Sequence, residues 1–442
     1  VVLALVLVAG CVHGLSPTAT AAPATAAVIV DVAPGTDPAT IAAKYNITIK
    51  NKFGDLFNGF SADLSPDQIA KMRADAKVVA VSDDRIVARI DRGKLPVYPP
   101  RKNPGQPPAS IPQQPAQSIT PAVRRISTPL SPTADIDGQD DKRVNADIAI
   151  LDGGVDPYHP DLNVAGGYDC VSGPRADSGY YDRDGHGTFV AGMAAAIDNG
   201  IGIVGAAPGA RIWSVRVADP YGAITDSALL CGLEYATRSP KIDVINLSLS
   251  GEGNLIAPCV GIPAKLVDLL RRVLKPGTPT KVDRTHEQIC RAVAVGKTVV
   301  AAAGNSSRDA STFTPAAYPE VITVSAMVDF DGKPGALAPT PSVCFPSDQD
   351  DHFAPFSNFG SPVDVAAPGV CVGSTINGGY YALADGTSFS APLVSGAAAL
   401  LLAKQRLSPT QVRQRILAAA EPGPLPDDPD QFPEGVLKVA GF

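Results

Sequence analysis

None of the seven cysteines stands at Cys-x-x-Cys spacing, so nothing in the chain points to a thiolate zinc site. Basic residues are in the minority, 37 Lys and Arg against 44 Asp and Glu, leaving a formal charge of −7. That balance argues against a nucleic-acid surface. No internal repeat recurs along the chain, which removes solenoid and propeller architectures. The apolar run from Val1 to Ala9 is too short to cross a membrane and has neither a Met nor basic residues in front of it. It reads as a clipped secretory signal within residues 1–21 and predicts a secreted protein. Val8-Ala9-Gly10-Cys11 also resembles a lipoprotein box, which offers Cys11 as an alternative lipid anchor. With Cys11 set aside, six cysteines remain, an even number suited to disulfides in an oxidising compartment.

What is present is ample core material. Hydrophobic residues make up 45% of the 442 positions, and 42 prolines imply long non-repetitive connections. The length allows about two or three domains. Residues 27–92 read as a unit of their own. Val28 to Val32 has strand character, and Asp37-Pro38 opens a helix to Tyr45. Strand-like segments follow between Lys50 and Leu64, then a helix from Ser65-Pro66 to Ala74 and a strand at Val78 to Val81. This β-α-β-β-α-β order predicts a ferredoxin-like α+β sandwich. Residues 93–115, rich in Pro, Gln and basic side chains, read as a solvated linker open to proteolysis.

From 116 to about 423 strands alternate with helices, which predicts a doubly wound, mostly parallel α/β sheet; 424–442 reads as a C-terminal tail. Ligands of such sheets sit at the carboxyl ends of the strands. Four residues fall at element edges of this kind. Asp152 ends the apolar run Asp147 to Leu151, and His186 begins a small-residue helix in Asp184-Gly185-His186-Gly187-Thr188. Asn305 follows the strand Thr298 to Ala303, and Ser388 opens the helix after Asp385-Gly386-Thr387, behind an irregular Gly-rich stretch, Asn377 to Tyr381. A serine at a helix start is equally an N-cap, and Asp152 equally a turn aspartate. Together, however, they supply a nucleophile, a base, an orienting carboxylate and an oxyanion donor, the set that acyl transfer needs. Gly386-Thr387-Ser388-Phe389-Ser390 lacks the Gly-x-Ser-x-Gly elbow of the α/β-hydrolases, and the order Asp, His, Ser differs from theirs. His159 reads as structural.

These blocks resemble those of the subtilisin-like serine proteases, and so do four others: Val244 to Leu249, Ala301 to Asn305, Phe356 to Gly360, and Ala366 to Val370. The resemblance covers nearly the whole chain, and residues 27–92 are similar to the family's propeptide, a folding chaperone and temporary inhibitor. It implies a self-processing endopeptidase acting on proteins and peptides, expected to be monomeric and to need no organic cofactor. Ser388 would be the nucleophile, His186 the general base and Asp152 its orienting partner. The Asn305 amide and the Ser388 N–H would form the oxyanion hole. Gly222, Ala223 and Ile224 resemble the strand that pairs with substrate; Ser248, Leu249 and Ser250, with Ala302, Ala303 and Gly304, resemble the two walls of the pocket beside the scissile bond. Cleavage is expected between Ile90 and Gln117, leaving a catalytic domain that starts near Ala116.

The resemblance also implies a structural calcium ion held by the side chains of Gln117, Asp161 and Asn199 and the carbonyls of Ile197, Ile201 and Ile203. It suggests disulfides Cys259–Cys290 and Cys344–Cys371, with Cys170 and Cys231 left over. The sequence departs from the family's pattern in places. Gly153 replaces the usual Thr or Ser after the aspartate, Ser250 a usual Gly, and Leu393 a common His; an insertion spans about 252–287. The change at Gly153 keeps a second reading open, a non-catalytic binding protein on the same fold.

Overall fold

The computed structural model describes residues 25–91, 95, 107–108, 110–173, 179–254, 259, 283–335, 338–341, 343–344 and 346–442. The signal segment with Cys11, most of the linker and most of the 252–287 insertion lie outside the described residues.

The first unit contains β1 (Ala26–Val32), β2 (Asn51–Phe53), β3 (Gly59–Leu64) and β4 (Val78–Asp83), with helices Pro38–Lys44 and Pro66–Ala74 between them. The strands lie in the order β2-β3-β1-β4, all pairs antiparallel. That is the predicted sandwich. Both helices start as their sequences dictate. Asp37 accepts a hydrogen bond from Ala39 N at 3.1 Å, and Ser65 with Gln68 forms a reciprocal capping box. Val28, Val30, Ile41, Phe60, Leu64 and Met72 close the core between sheet and helices.

A short strand, β5 (Ile86–Arg89), leads out of this unit and pairs with the second one. There the main sheet is built from β6 (Asp147–Asp152), β7 (Val164–Asp169), β8 (Arg211–Arg216), β10 (Val244–Leu247), β12 (Thr298–Ala302), β14 (Ile322–Val328), β15 (Val365–Val370) and β18 (Gly435–Val436). The outlying strands are β9 (Ala223–Thr225), β11 (Gly251–Glu252), β13 (Phe313–Thr314), β16 (Val372–Ile376) and β17 (Tyr380–Ala384).

The sheet order is β18-β15-β14-β12-β10-β6-β8-β7, every neighbour parallel. All six residues of β6 are buried, as a strand covered on both faces requires. Its side chains divide between the faces. Ile148 and Ile150 pack with helices His186–Ala195 and Thr387–Lys404, while Ala149 and Leu151 pack with helices Asp226–Arg238 and Arg284–Ala294. The Thr387–Lys404 helix is apolar enough to span a membrane, but most of it is buried among its neighbours.

Two expectations are corrected here. Residues 424–442 do not form a separate tail: Gly435 and Val436 add the outer strand beside β15, and Leu437, Val439 and Phe442 join the core. The stretch Asn377 to Tyr381 is not irregular but the tip of an antiparallel hairpin, β16 with β17, turned by Gly378 and Gly379 at positive φ. Three disulfides are formed, Cys170–Cys231, Cys259–Cys290 and Cys344–Cys371, so the two cysteines left over pair with each other.

Candidate active site

Asp152 is the last residue of β6, and His186 is the first residue of its helix. They meet with His186 Nδ1 2.9 Å from both Asp152 oxygens, and Gly153 N–H donates to Asp152 Oδ1 at 2.7 Å. Neither side chain is exposed. Burial, with Asp184 adding to it, holds Asp152 above the ordinary carboxylate value, against the lowering effect of the His186 ring and the Gly153 N–H on its oxygens. For His186 burial works the other way, and Asp152, followed by Asp184 and Asp182, outweighs it to hold the imidazole above the ordinary histidine value. Nε2, on the far side of the ring, has no hydrogen-bond partner among the described residues.

The loop in front of His186 contributes two carboxylates that the sequence analysis did not single out. Asp182 accepts from Asp184 N, Gly185 N, Thr188 N and Thr188 Oγ1 at 2.6–3.0 Å. Burial and the neighbouring Asp184 push it up to about 8, against those four donors. Asp184 Oδ1 accepts from His186 N at 3.0 Å. The only sequence signal for them was their position just before the histidine.

Ser388 is the second residue of the Thr387–Lys404 helix, where backbone N–H groups are unpaired and the helix dipole is positive. Its Oγ donates to Ser248 O at 3.2 Å, while its carbonyl accepts from Ser248 Oγ at 2.6 Å. Asn246 links Ser248 to Ser395, which fastens the helix to β10. Asn305 Oδ1 accepts from both Thr387 N and Thr387 Oγ1, at 2.9 and 2.7 Å. The amide is thereby oriented with Nδ2 toward an open cleft of about 400 Å³.

Residues 86–89 and Asp91 of the same chain form part of the lining of that cleft. β5 pairs antiparallel with β9, with Ala88 opposite Ile224 and Arg89 opposite Ala223. On the other wall Arg89 and Ser250 exchange two backbone hydrogen bonds at 2.9 and 3.0 Å, and on the β9 side Ile90 N donates to Gly222 O at 3.0 Å. Asp91 then reaches Asn305, whose Nδ2 donates to Asp91 Oδ2 at 3.1 Å. Gly251 makes this fit possible, since a Cβ there would lie 1.9 Å from Val87 O. Of the expected wall residues, Leu249, Ser250, Ala302 and Gly304 line the cleft, and Ser248 lies beneath Ser388. Ala303 is buried behind them, its carbonyl taken by Asn358 Nδ2. The first unit is held beyond the cleft as well. Asp84 accepts from Ser227 N and Oγ at the start of helix Asp226–Arg238, and Arg284 pairs with Asp31.

The residues expected around calcium also come together. Gln117 Oε1 accepts from Asn199 N and Gly200 N at 2.9 Å, and Ala116 and Ser118 bridge to Ile201 and Ile203. Asp161 Oδ2 accepts from Ile203 N and from the Tyr381 hydroxyl, and the Asp161 carbonyl accepts from Ile197 N. Burial pushes Asp161 up to about 7. Its Oδ1 is buried without a hydrogen-bond partner among the described residues. Gln117 Oε1 and Asn199 Oδ1 already accept backbone N–H groups, so of the expected side-chain oxygens Asp161 Oδ1 is the shielded one that suits a hard cation.

Residues 145–442 match the Subtilase family. The chain belongs to it. Residues 31–89 match the Peptidase inhibitor I9 family. Among the curated relatives, Subtilisin NAT of Bacillus subtilis subsp. natto is 36% identical over 280 residues, which are 62% of this chain and 60% of that protein. The Thermophilic serine proteinase of Bacillus sp. (strain AK1) is 38% identical over 278 residues, 62% of this chain and 56% of the relative. The chain thus spans about 60% of the length of the first curated relatives it matches. A crystal structure of a cold adapted subtilisin-like serine proteinase shares the fold, with a TM-score of 0.53 and 24% identity, covering 73% of this chain and 97% of its own.

Proposed function

We propose that this subtilase is a secreted serine endopeptidase made as a self-processing zymogen. The observation that carries the reading is the course of residues 86–91, an extended strand laid between two walls of the cleft and ending over Asn305 and Ser388. Backbone pairing of this kind recognises a peptide as an added strand. Ser388 Oγ turns from the Ser248 carbonyl to His186 Nε2, gives up its proton there and attacks the scissile carbonyl. Asp152 keeps Nδ1 protonated and stabilises the imidazolium. Asn305 Nδ2 and the Ser388 N–H receive the oxyanion. His186 then protonates the leaving amine, and water releases the acyl group by the same route in reverse.

In the zymogen the first bond presented is the one after Asp91, because Arg89 is registered on Ser250 and Ile90 on Gly222. Once cut, the inhibitor-like unit remains as a product bound by β5 and by Asp84. Calcium belongs to this reading too. Gln117, Asp161, Asn199 and the carbonyls of Ile197, Ile201 and Ile203 would hold it. The ion would tie the segment at Ala116–Ser118 to the loop after the histidine helix and so stabilise the domain.

A fluorophosphonate probe tests the reading directly. Mature protein should be labelled at Ser388 and Ser388→Ala should not; an unlabelled parent protein would leave the non-catalytic reading standing.

A further inference from the structure

We propose that Asp184 is a positioning residue for the histidine: its carboxylate occupies the space that Gly153 opens beside Asp152 and strengthens His186 as a base. The inference rests on the serine-protease reading above. A Cβ built on Gly153 would lie 3.1, 3.2 and 3.3 Å from Oδ1, Oδ2 and Cγ of Asp184. A serine or threonine there, the usual residue in the family, would therefore press its side chain against this carboxylate. The departure at 153 and the acid at 184 form one arrangement.

The position suits an electrostatic role. Asp184 is 5% exposed and accepts from the backbone N–H of His186 itself, while Asp152 takes the Nδ1 side. Two carboxylates thus bond His186, one at its ring and one at its backbone N–H, and Asp182 accepts from the N–H groups of Gly185 and Thr188 in the same turn. From the serine helix the ring meets Phe389, with centroids 5.3 Å apart, and from β16 Ile376 packs against Gly185; neither carries charge. Arg183, between the two loop aspartates, acts on Arg216. Asp152 and Asp184 stabilise the imidazolium that forms as Ser388 loses its proton, Asp184 adding to the effect of Asp152, whereas Asp182, pushed up to about 8, is largely neutral where the histidine titrates. A charge in a dry site acts more strongly than one in water.

Asp184 also has a capping role, through Oδ1 on His186 N, and the two roles can be separated. Asparagine keeps the acceptor and discards the charge. The experiment is the pH dependence of kcat/KM for mature parent enzyme and Asp184→Asn, with active sites counted by fluorophosphonate. The acid limb reports the free histidine. Asp184→Asn should move it down by roughly 0.5–1 pH unit, with KM unchanged, while Asp184→Ala should also lower the melting temperature. An acid limb that stays in place in a fully labelled Asp184→Asn enzyme overturns the inference and leaves the protease reading intact. Absence of labelling in the parent overturns both. Should Asp184→Asn fail to mature, Gly153→Ser displaces the carboxylate without removing it. Its acid limb should also move down, by less, and an unmoved limb again overturns the inference.

Discussion

Thr387 holds Asn305 by two hydrogen bonds to a single oxygen, one from its backbone N–H and one from its hydroxyl. The residue before the serine thus decides which end of the Asn305 amide faces the cleft. Asn305→Ala is expected to cut kcat by about 10²–10³-fold with little change in KM, because the lost donor acts on the oxyanion and not on the bound peptide. Thr387→Val removes only the hydroxyl and should give a smaller loss of the same kind. Steady-state kinetics on both variants check this; a rise in KM at constant kcat would contradict the assignment.

Processing should follow register rather than sequence. Intact-mass analysis of freshly folded protein is expected to show a fragment ending at Asp91. Ser388→Ala should accumulate the uncleaved chain. Inserting one glycine between Ile90 and Asp91 should move the cut to follow that glycine, since the Arg89–Ser250 and Ile90–Gly222 pairs are untouched. A cut that stays between Asp91 and Arg92 would show that side chains, not backbone pairing, choose the bond.

Chelation should lower the melting temperature of the inhibited mature enzyme. An ion that binds only the folded state stabilises it by mass action. Asp161→Ala should melt at the chelated temperature with or without EGTA. Elemental analysis of the parent should find bound calcium, and its absence together with an unchanged midpoint would remove the site.

A further pH effect arises far from the cleft. Glu434 is 5% exposed, one oxygen bonded to Ser325 Oγ and the other without a hydrogen-bond partner among the described residues. Burial pushes it up to about 7, above its usual value of 4.5. Between those values the folded state binds the extra proton. The group's contribution to stability is complete below about 4.5 and is lost as pH rises through about 7. Glu434→Gln should therefore stabilise the protein at pH 8, by about 3 kcal/mol, and change little at pH 4. Denaturant titration at the two pH values checks the sign.

Much of the fold was legible because its strands are apolar throughout and its helices begin with recognisable caps. Asp147 to Leu151 reads as a doubly covered strand, and Asp37 and Ser65 each accept the backbone hydrogen bond their position predicts. β18 was not legible, since two residues behind a proline-rich run carry no period, and only the partner strand β15 makes them a strand. The Gly378-Gly379 hairpin was hidden by its own turn residues.

The site was legible in the same uneven way. Asp152, His186, Asn305 and Ser388 stand out because each interrupts a pattern at the edge of an element. Asp184 and Thr387 sit beside conspicuous neighbours, and what they touch depends on loops that fold back from elsewhere. The link between Cys170 and Cys231 is likewise a product of packing, across 61 residues.

The clamp around β5 has a consequence for any protein that takes its place. Residues 88–90 are bound through their backbone groups, to the Gly222–Ile224 strand on one side and to Ser250 on the other, so an incoming chain must first give up whatever internal hydrogen bonds those groups make. On the proposed protease reading, a folded substrate is cut at a rate set by how often a short stretch frays open, which its own local unfolding equilibrium determines. On that reading resistance is a property of the substrate's dynamics, and a thermally softened protein should be cleaved where a rigid one of similar sequence is spared.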